Sequence, residues 1–579
     1  MECTICETKC DIEEGGMGNC GMYVRLDGCI RERYPDRYLA AVETAIECMP
    51  MVHYHPRGKF LQVCTVGCNF KCEGCVSGIL TDHLAAIEGT FQILSPERII
   101  RKALEEECLG VMFCFNEPTV SYFSFRKLAE TARGNGLLMG CSTNGYLTEE
   151  ALDGLIPFLD FVNVGLKGFT EQAYLPCGVK DPAPIRRNIE ALHRRGVYLE
   201  ISAVFHKHGE AEIMQAAEFI ASLSPDIPLQ VMRFIPFGDA DCGLEPSVRE
   251  AEAICRRLRK ILRYVYLFNS PGTEDLHSPC PDCGTNIIER GFFGPMASNL
   301  FRHLPEGRCS CGFQLPIRGR IHAQCTRETG YFGGYRTINA LNRVRSLLEV
   351  LDVTDKDRVD AVLGRVVKED FVKELYDRLN GIDSYLETLD HFGQLTGQKT
   401  RAEAFRQYVS SRLTHLEADL ARLEKPAVYC SLGHPLIAVF EEKMECRLIA
   451  TAGGRLTNRL LEREARPGIV ISKEQFQSMA PDIIIISDAA AWPVEDFLAF
   501  CREQDLDVPA VRSGQVFNLH PYRASTNPDW ILGLMRLVQI FHPKAFGFDL
   551  GLEAEDFHRE FSGRPFDSSP ARTFSYQRR

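Results

Sequence analysis

The chain has 579 residues, of which 45% are hydrophobic and 25% are charged, the composition of an ordinary globular protein. This length is too great for a single core, so we expect two or three domains. A net charge of -12 argues against a general nucleic-acid-binding protein, which needs a basic surface. No apolar run reaches the roughly eighteen residues of a membrane-spanning helix, so we expect no membrane partner.

The cysteines are unevenly distributed, since 21 of the 24 lie at or before Cys325. The chain begins without the charged and then apolar pattern of a secretion signal. We therefore expect a cytoplasmic location, where a reducing environment lets thiols bind metals instead of pairing as disulfides.

Residues 1–58 form a cysteine-rich N-terminal segment. Cys3, Cys6, Cys10 and Cys20 follow the spacing C-x2-C-x3-C-x9-C in a glycine-rich stretch too short to build its own core. A bound metal would fix such a segment. The pattern predicts structural zinc or an auxiliary iron-sulfur cluster, with unligated thiols as the alternative.

Residues 59–270 alternate short apolar runs with amphipathic helical stretches. This rhythm indicates parallel strands joined by crossover helices, and six such units would form a partial (β/α)6 TIM-like barrel in an α/β fold. Functional groups collect at the carboxyl ends of the strands in such a barrel. The candidate strands are residues 60–66, 110–115, 137–142, 161–166, 197–205 and 229–235.

Three cysteines follow the first candidate strand directly. Cys68, Cys72 and Cys75 have the spacing C-x3-C-x2-C, and residues 68–75 are called the cluster loop below. Three thiolates on one loop can hold three irons of a cubane cluster and leave the fourth iron open for a ligand that is not protein. A four-ligand zinc site that also uses Cys64 is the alternative.

Polar residues end the next three candidate strands. Asn116 and Glu117 end the second strand, Thr143 and Asn144 end the third, and Lys167 ends the fourth. The carboxyl ends of parallel strands converge, so these five residues are expected to share one site with the cluster loop. Ordinary roles are also open for them, as turn and helix-start signals for the first four and as a solvated charge for the lysine.

Six segments in order carry a family resemblance. The N-terminal cysteine segment and the cluster loop are followed by FNEPT at 115–119, STNGYLT at 142–148, NVGLKGF at 163–169 and DIPLQVMRFIP at 226–236. Over residues 1–320, in which these segments lie, the chain resembles radical S-adenosylmethionine (SAM) enzymes of the AmmeMemoRadiSam group, relatives of pyruvate formate-lyase activating enzyme.

The resemblance implies a [4Fe-4S] cluster at the three loop cysteines, with SAM bound to the open iron. It also implies SAM contacts from the five strand-end residues, with the lysine matching that of a DLK motif. An electron from a donor such as ferredoxin or flavodoxin would cleave SAM to a 5′-deoxyadenosyl radical, which abstracts hydrogen from a substrate.

Five positions depart from the pattern of these relatives. Gly165 stands where the DLK motif has aspartate, and Gln230 and Ile235 stand where histidines are common in the last strand. Gly74 replaces an aromatic residue beside the last cluster cysteine, and Val76 replaces a glutamine. Because we expect these positions to lie at or near the site, they predict a substrate or protein partner that differs from that of a typical relative.

Residues 271–334 contain two cysteine pairs, in CPDCG and GRCSCG. Cys280, Cys283, Cys309 and Cys311 resemble the knuckles of a zinc ribbon, although the C-x-C of the second pair is one residue tighter than usual. We expect zinc here, with shielded free thiols as the alternative.

Helical periodicity dominates residues 335–425, which predicts a helical spacer, and strands return in residues 426–579 as a Rossmann-like α/β lobe. The run from 513 to 550 resembles the C-terminal lobe of class III periplasmic binding proteins, the receptors for cobalamin, iron-siderophores and haem. A ligand-binding role would draw contacts from His520, Tyr522, Arg523 and Trp530. A structural or dimerising appendage is the alternative reading of this lobe.

Two substrates remain open for the radical chemistry. One is a small molecule held partly by the C-terminal lobe, which the extra lobe favours, and the other is a glycyl radical protein that the enzyme would activate. A function of another class is a non-catalytic iron-sulfur or metal-binding scaffold, which would leave the SAM-site resemblance unexplained.

Overall fold

The computed structural model describes residues 1–88, 91–237, 240–322, 333–368, 371–461, 468–487, 492–519, 521–522, 526–563 and 566. The chain divides into two compact units, Met1–Ala240 with Leu244–Ile338, and Asp241–Gly243 with Asn339–Arg579. Among the helices within the described ranges, none is both long enough and apolar enough to cross a membrane.

The first unit is built on an eight-stranded sheet with the order β12-β11-β10-β9-β8-β7-β5-β4. Strands β5 and β7–β12 run parallel, and β4 pairs antiparallel with β5 at one edge. The strands of this unit are β1 (Tyr23–Leu26), β2 (Cys29–Glu32), β3 (Arg37–Tyr38), β4 (Ala40–Ala45), β5 (Lys59–Cys64), β6 (Gln92–Ile93), β7 (Gly110–Phe113), β8 (Leu138–Thr143), β9 (Phe161–Leu166), β10 (Tyr198–Phe205), β11 (Leu229–Arg233), β12 (Val265–Phe268), β13 (Ser278–Pro279), β14 (Asn286–Phe292) and β15 (Ser298–His303).

All six predicted strands are therefore present and parallel, which confirms the α/β fold class. A seventh parallel strand, β12, and the antiparallel edge strand β4 extend the sheet beyond the predicted six. Every residue of β7, β11 and β12 is buried, as expected of parallel strands that are covered on both faces.

Helices connect the parallel strands, and their ends are set by local sequence. Ser95 accepts a hydrogen bond from the Arg98 amide to start one helix, and Ser247 forms a capping box with Glu250 to start another. The α-helices of this unit are Gly78–Asp82, Leu84–Ile87, Pro96–Glu105, Tyr122–Gly134, Glu149–Leu155, Glu171–Tyr174, Ala183–Arg194, Glu210–Leu223 and Val248–Leu258.

A buried polar network lies at the amino ends of the strands, away from the cluster loop. Glu200 of β10 accepts hydrogen bonds from the Val52 and His53 amides at 2.8 and 2.9 Å. Arg290 of β14 donates to the Val52 carbonyl at 2.7 Å. This hydrogen bond connects the antiparallel β13–β14–β15 sheet to the same buried polar network. Burial raises the pKa of Glu200 to about 7, although the hydrogen bonds from the two amides act in the opposite direction and lower it.

The second unit contains a helical part followed by a small α/β domain, in the order that the sequence predicts. Its mixed sheet has the order β19-β17-β16-β20-β21, with β18 beside β16. The strands are β16 (Ala427–Ser431), β17 (Ile437–Ala438), β18 (Arg455–Leu456), β19 (Ile469–Val470), β20 (Ile483–Ile486) and β21 (Val516–Asn518). The α-helices are Gly333–Val350, whose first residues are counted in the first unit, Lys356–Lys368, Val372–Arg378, Ile382–Leu395, Lys399–Leu420, Met444–Thr451, Lys473–Met479, Val494–Glu503, Pro509–Ser513, Trp530–Phe541 and Leu550–Phe557.

Candidate functional site

The cluster loop leaves the carboxyl end of β5 and ends just before the helix Gly78–Asp82. Cys68 and Cys72 are half-buried, and Cys75 is exposed. The Phe70 amide donates to the Cys68 Sγ at 3.4 Å, and the Asn144 side chain lies 3.8 Å from the same sulfur. Hydrogen bonds to a cluster sulfur tune the reduction potential of an iron-sulfur centre.

The loop thiols can be compared with the ligands of a zinc site. Four sulfurs around one zinc at 2.3 Å lie about 3.8 Å apart, because the site is tetrahedral. Within the described part of the chain, no three ligand atoms that include a cluster-loop thiol lie within 4.8 Å of one another. The three loop thiols do not form such a group in the structure, and a cluster of several irons at this loop stays a prediction.

Asn116 fixes the turn that leads into the cluster loop. Its Oδ1 accepts from the Thr65 amide at 2.9 Å, and its Nδ2 donates to Thr65 Oγ1, the Val66 carbonyl and the Gly67 carbonyl at 2.9, 3.0 and 3.2 Å. All of these groups are buried. The side-chain amide of Asn116 therefore binds the backbone turn that leads into Cys68.

Glu117 joins the second and third strand ends. Its carboxylate accepts from the Thr143 hydroxyl at 2.7 Å and the Asn144 amide at 2.7 Å, and also from the amide and hydroxyl of Thr119. Burial raises the pKa of this carboxyl group, and the four donors oppose that effect. The Asn144 side chain in turn donates to the Asn69 side chain at 2.7 Å, within the cluster loop.

Lys167 reaches the same edge from the end of β9. Burial lowers the pKa of its ammonium, but the surrounding thiols, Cys72 first, outweigh that effect and raise it. The structure thus brings together the loop cysteines and all five strand-end residues that the sequence singled out.

Two further residues lie at this edge and were missed by sequence reasoning. Cys177 hydrogen-bonds to Cys72 through its thiol, and its carbonyl accepts from the Lys71 amide at 2.9 Å. His206 follows β10, and burial and then the Lys167 charge lower its pKa. Neither residue belongs to a sequence motif with a recognisable spacing. The position of His206 directly after a predicted strand could have identified it.

Two of the departures from the family pattern have a local explanation. Gly74 has φ = +68°, and a Cβ there would lie 2.8 Å from the Phe234 ring and 2.9 Å from Ala240. The aromatic ring missing from the loop is thus supplied by Phe234. At Gly165 a Cβ would lie 3.3 Å from the Lys167 ammonium, so the glycine leaves room for the lysine to fold back.

Gln230 does not lie at the site, contrary to the sequence-based expectation. It is the second residue of β11, and its amide bonds to Asn163, Ser202 and Glu200 in the buried network near the amino ends of the strands. Ile235, which is half-buried, lies beyond the carboxyl end of that strand. The register of the last strand had to be known to separate these two positions.

The four knuckle cysteines converge on one point. The Sγ atoms of Cys280, Cys283, Cys309 and Cys311 all lie within 4.8 Å of one another. Cys280 pairs with Cys311 at 3.5 Å and Cys283 with Cys309 at 3.3 Å. These distances are close to the roughly 3.8 Å of a tetrahedral zinc site.

The four residues predicted to contact a ligand in the C-terminal lobe have different environments in the structure. Trp530 is completely buried and packs edge-on against Tyr385, with 6.0 Å between the ring centroids, so it belongs to the core and does not face a ligand. Tyr522 is half-buried and stacks on Phe566 at 5.6 Å. His520 and Arg523 lie outside the described residues.

Comparisons with known proteins match two separate parts of the chain, one in each compact unit. Residues 63–220 match the family model of the radical SAM superfamily, and residues 348–523 match that of periplasmic binding proteins. An uncharacterized protein of Methanocaldococcus jannaschii is 27% identical over 324 residues, which cover 55% of this chain and 95% of that protein.

The similar solved structures cover a smaller part of this chain than the Methanocaldococcus jannaschii protein does. A periplasmic solute binding protein from Veillonella parvula is 17% identical over 32% of this chain and 59% of its own, with a TM-score of 0.29. The molybdate periplasmic binding protein MolA of Haemophilus influenzae is 15% identical over 32% and 58%, also with a TM-score of 0.29. The chain thus spans less than two thirds of the length of these two proteins. Taken together, the family matches and the fold establish an enzyme of the radical SAM type, with its radical SAM domain at residues 63–220 and a domain like periplasmic binding proteins after it.

Proposed function

We propose that the protein cleaves SAM reductively at a [4Fe-4S] cluster held by Cys68, Cys72 and Cys75, and abstracts hydrogen from a small-molecule substrate. One observation carries the proposal: the cluster loop, the Glu117–Thr143–Asn144 network and Lys167 meet at the carboxyl edge of a single parallel sheet. A metal-binding scaffold would have no use for this arrangement.

The chain's own residues position the reactants. Asn116 holds the turn into the cluster loop, and Glu117 fixes the backbone and side chain of the next strand end. Thr143 and Asn144 are buried members of this network, and the half-buried Lys167 lies at the same edge, so a hydroxyl, an amide and an ammonium that suit the polar groups of SAM are gathered there. When bound, the cluster and SAM supply the electron transfer and the 5′-deoxyadenosyl radical that abstracts hydrogen.

The test is SAM cleavage by anaerobically reconstituted protein with dithionite, followed as 5′-deoxyadenosine by chromatography. Replacement of Cys68, Cys72 or Cys75 by alanine is expected to abolish product formation, because three thiolates are needed to leave one iron open. The Cys29→Ser variant is the matched control, since Cys29 is an exposed thiol on the β2 strand. Product formation by a loop variant at the level of this control would refute the proposal.

The substrate is proposed to be a small molecule, for which the C-terminal domain is the candidate carrier because of its likeness to periplasmic binding proteins. Mass spectrometry of the anaerobically purified protein would identify a ligand that co-purifies. Turnover in deuterated medium with candidate glycyl radical proteins is the counter-test, since a protein-centred radical would show that the enzyme is an activating enzyme.

We also propose that Cys280, Cys283, Cys309 and Cys311 bind a structural zinc, which their mutual distances support. The electron donor is proposed to be a ferredoxin or flavodoxin in the cytoplasm, where free thiols and reduced clusters persist. Metal analysis of the purified chain tests the first proposal, and reconstitution of SAM cleavage with each donor tests the second.

A further inference from the structure

We propose that Tyr23 and Glu32 are positioning residues for SAM, which act through the Glu117–Thr143–Asn144 network at the carboxyl edge of the sheet. Both lie on the β1–β2 hairpin, outside residues 63–220, the part that matches the radical SAM family model. The inference deepens the proposed function and rests on it. It assigns to the N-terminal segment a role in a site whose other residues follow the strands of the barrel.

The hairpin places the two side chains directly opposite each other. Tyr23 is the first residue of β1 and Glu32 is the last residue of β2, and the two are cross-strand partners in the antiparallel pair. Tyr23 is buried and Glu32 is half-buried. Side chains at such positions lie about 5 Å apart. The pair can therefore bind one short stretch of a neighbouring segment, and that stretch is residues 119–124.

Tyr23 binds the turn after β7 through its hydroxyl group. The hydroxyl donates to the Thr119 carbonyl at 2.6 Å and accepts from the Tyr122 amide at 3.0 Å, and both hydrogen bonds are buried. The Tyr23 ring packs edge-on against that of Phe123, with 6.4 Å between the centroids. Because a buried backbone group that loses its partner is unfavourable, the hydroxyl fixes the positions of these two peptide groups.

Glu32 binds the next two residues, at the start of the helix Tyr122–Gly134. Its carboxylate accepts from the amides of Phe123 and Ser124 at 2.6 and 3.1 Å, and also from the Ser124 hydroxyl. The first amides of a helix have no partner within the helix itself. Ser121, which precedes this helix, makes no capping hydrogen bond through its side chain among the described residues. The hairpin therefore supplies the cap that the local sequence does not.

The same turn holds the Glu117 carboxylate. Thr119, whose carbonyl Tyr23 binds, donates from its amide to Glu117 at 3.1 Å and from its hydroxyl to the same oxygen. Glu117 also accepts from the Thr143 hydroxyl and the Asn144 amide, both at 2.7 Å. A continuous series of buried hydrogen bonds and peptide groups therefore connects Tyr23 to two residues that are proposed to contact SAM.

The stretch before the hairpin binds the segment that follows β8. Cys6 forms an antiparallel backbone bridge with Leu147, and the Thr148 hydroxyl donates to the Thr4 carbonyl at 2.6 Å. Both of these partners lie within five residues of the end of β8. The N-terminal segment thus contacts both of the strand ends that Glu117 joins, and a displacement of the hairpin would change their relative position.

The Tyr23→Phe variant tests the inference, with Tyr38→Phe as the matched control. Tyr38 lies in the same N-terminal segment and is also buried, but its hydroxyl has no hydrogen-bond partner in the described part of the chain. We expect the KM for SAM in reductive cleavage to rise about fivefold to tenfold in Tyr23→Phe, because the groups that bind SAM are displaced. The kcat at saturating SAM and the iron content should stay within about twofold of the control.

Hydrogen-deuterium exchange gives a second readout that does not depend on SAM cleavage. Protection of the amides in residues 117–124 and 143–148 should be lower in Tyr23→Phe than in the control. With a wild-type enzyme that cleaves SAM, an unchanged KM, a fall in kcat alone, a loss of iron or unchanged exchange would overturn the inference. A wild-type protein that forms no 5′-deoxyadenosine would overturn the proposed function, and the role of the hairpin toward SAM with it.

Two substitutions of Glu32 test the other half of the hairpin. Glu32→Ala removes both acceptor oxygens and should raise the KM for SAM, whereas Glu32→Gln keeps one acceptor oxygen and should raise it less. Equal KM values for both variants and for Tyr38→Phe would overturn the positioning role of Glu32.

Discussion

The Asn116→Ala variant should loosen the cluster loop while leaving the rest of the sheet intact. The side chain makes four buried hydrogen bonds to the turn at residues 65–67. Alanine would leave the Thr65 amide and the Val66 carbonyl without these partners in a site closed to water. An unsatisfied buried backbone group costs about 1–3 kcal/mol, so the local free energy of opening should fall by about 3 kcal/mol.

Hydrogen-deuterium exchange measures this loss directly. Since a tenfold change corresponds to about 1.4 kcal/mol, protection of the amides in residues 61–75 should fall by roughly 100-fold. Asn135→Ala is the matched control, because the Asn135 side chain donates to the Thr131 carbonyl at 2.8 Å on an exposed helix end. Protection of residues 61–75 equal to that of the control would refute the view that Asn116 holds this turn.

Three further predictions concern other parts of the first unit. Gly74→Phe should block metal loading because the new ring would overlap Phe234, and adding Phe234→Ala should restore iron content to at least about half, as measured by iron analysis. Glu200, whose pKa burial raises to about 7 from an ordinary 4.5, favours the folded state when protonated, so stability should fall as pH rises toward and through about 7. Glu200→Gln should flatten that dependence between about pH 4.5 and about pH 7 in urea unfolding, and an unchanged slope would contradict the assignment. Cys283→Ser should lose about one zinc per chain without loss of iron, and retained zinc would show that the knuckle does not bind it.

The sequence predicts the sheet well because its strands are short, apolar and evenly spaced. It also predicts which residues meet, since Thr143 ends a strand, Cys68, Asn116 and Lys167 follow strands, and parallel strands end at one edge. The role of Asn116 was harder to predict, because the groups that bind its side-chain amide lie on the turn after β5, about 50 residues away. Only tertiary structure reveals that commitment.

Other residues show the same limit. Gln230 and Ile235 are five positions apart, and the sequence predicted both to lie near the site. Gln230 belongs to the buried polar network near the amino ends of the strands, whereas Ile235 lies beyond the carboxyl end of β11. Trp530 was predicted as a ligand contact because it lies in the run that resembles periplasmic binding proteins, but it is completely buried in the core. Cys177 carries no spacing signal at all, since it reaches Cys72 only through the fold.

The exchange of Gly74 and Phe234 bears on how further proteins of this kind can be recognised. A pattern that demands a ring beside the last of the three cysteines overlooks any chain in which the ring comes instead from a strand about 160 residues later. The two positions should covary among homologues, with a small residue at the first wherever the second is bulky. A search keyed to the pair would gather relatives that single-motif searches separate.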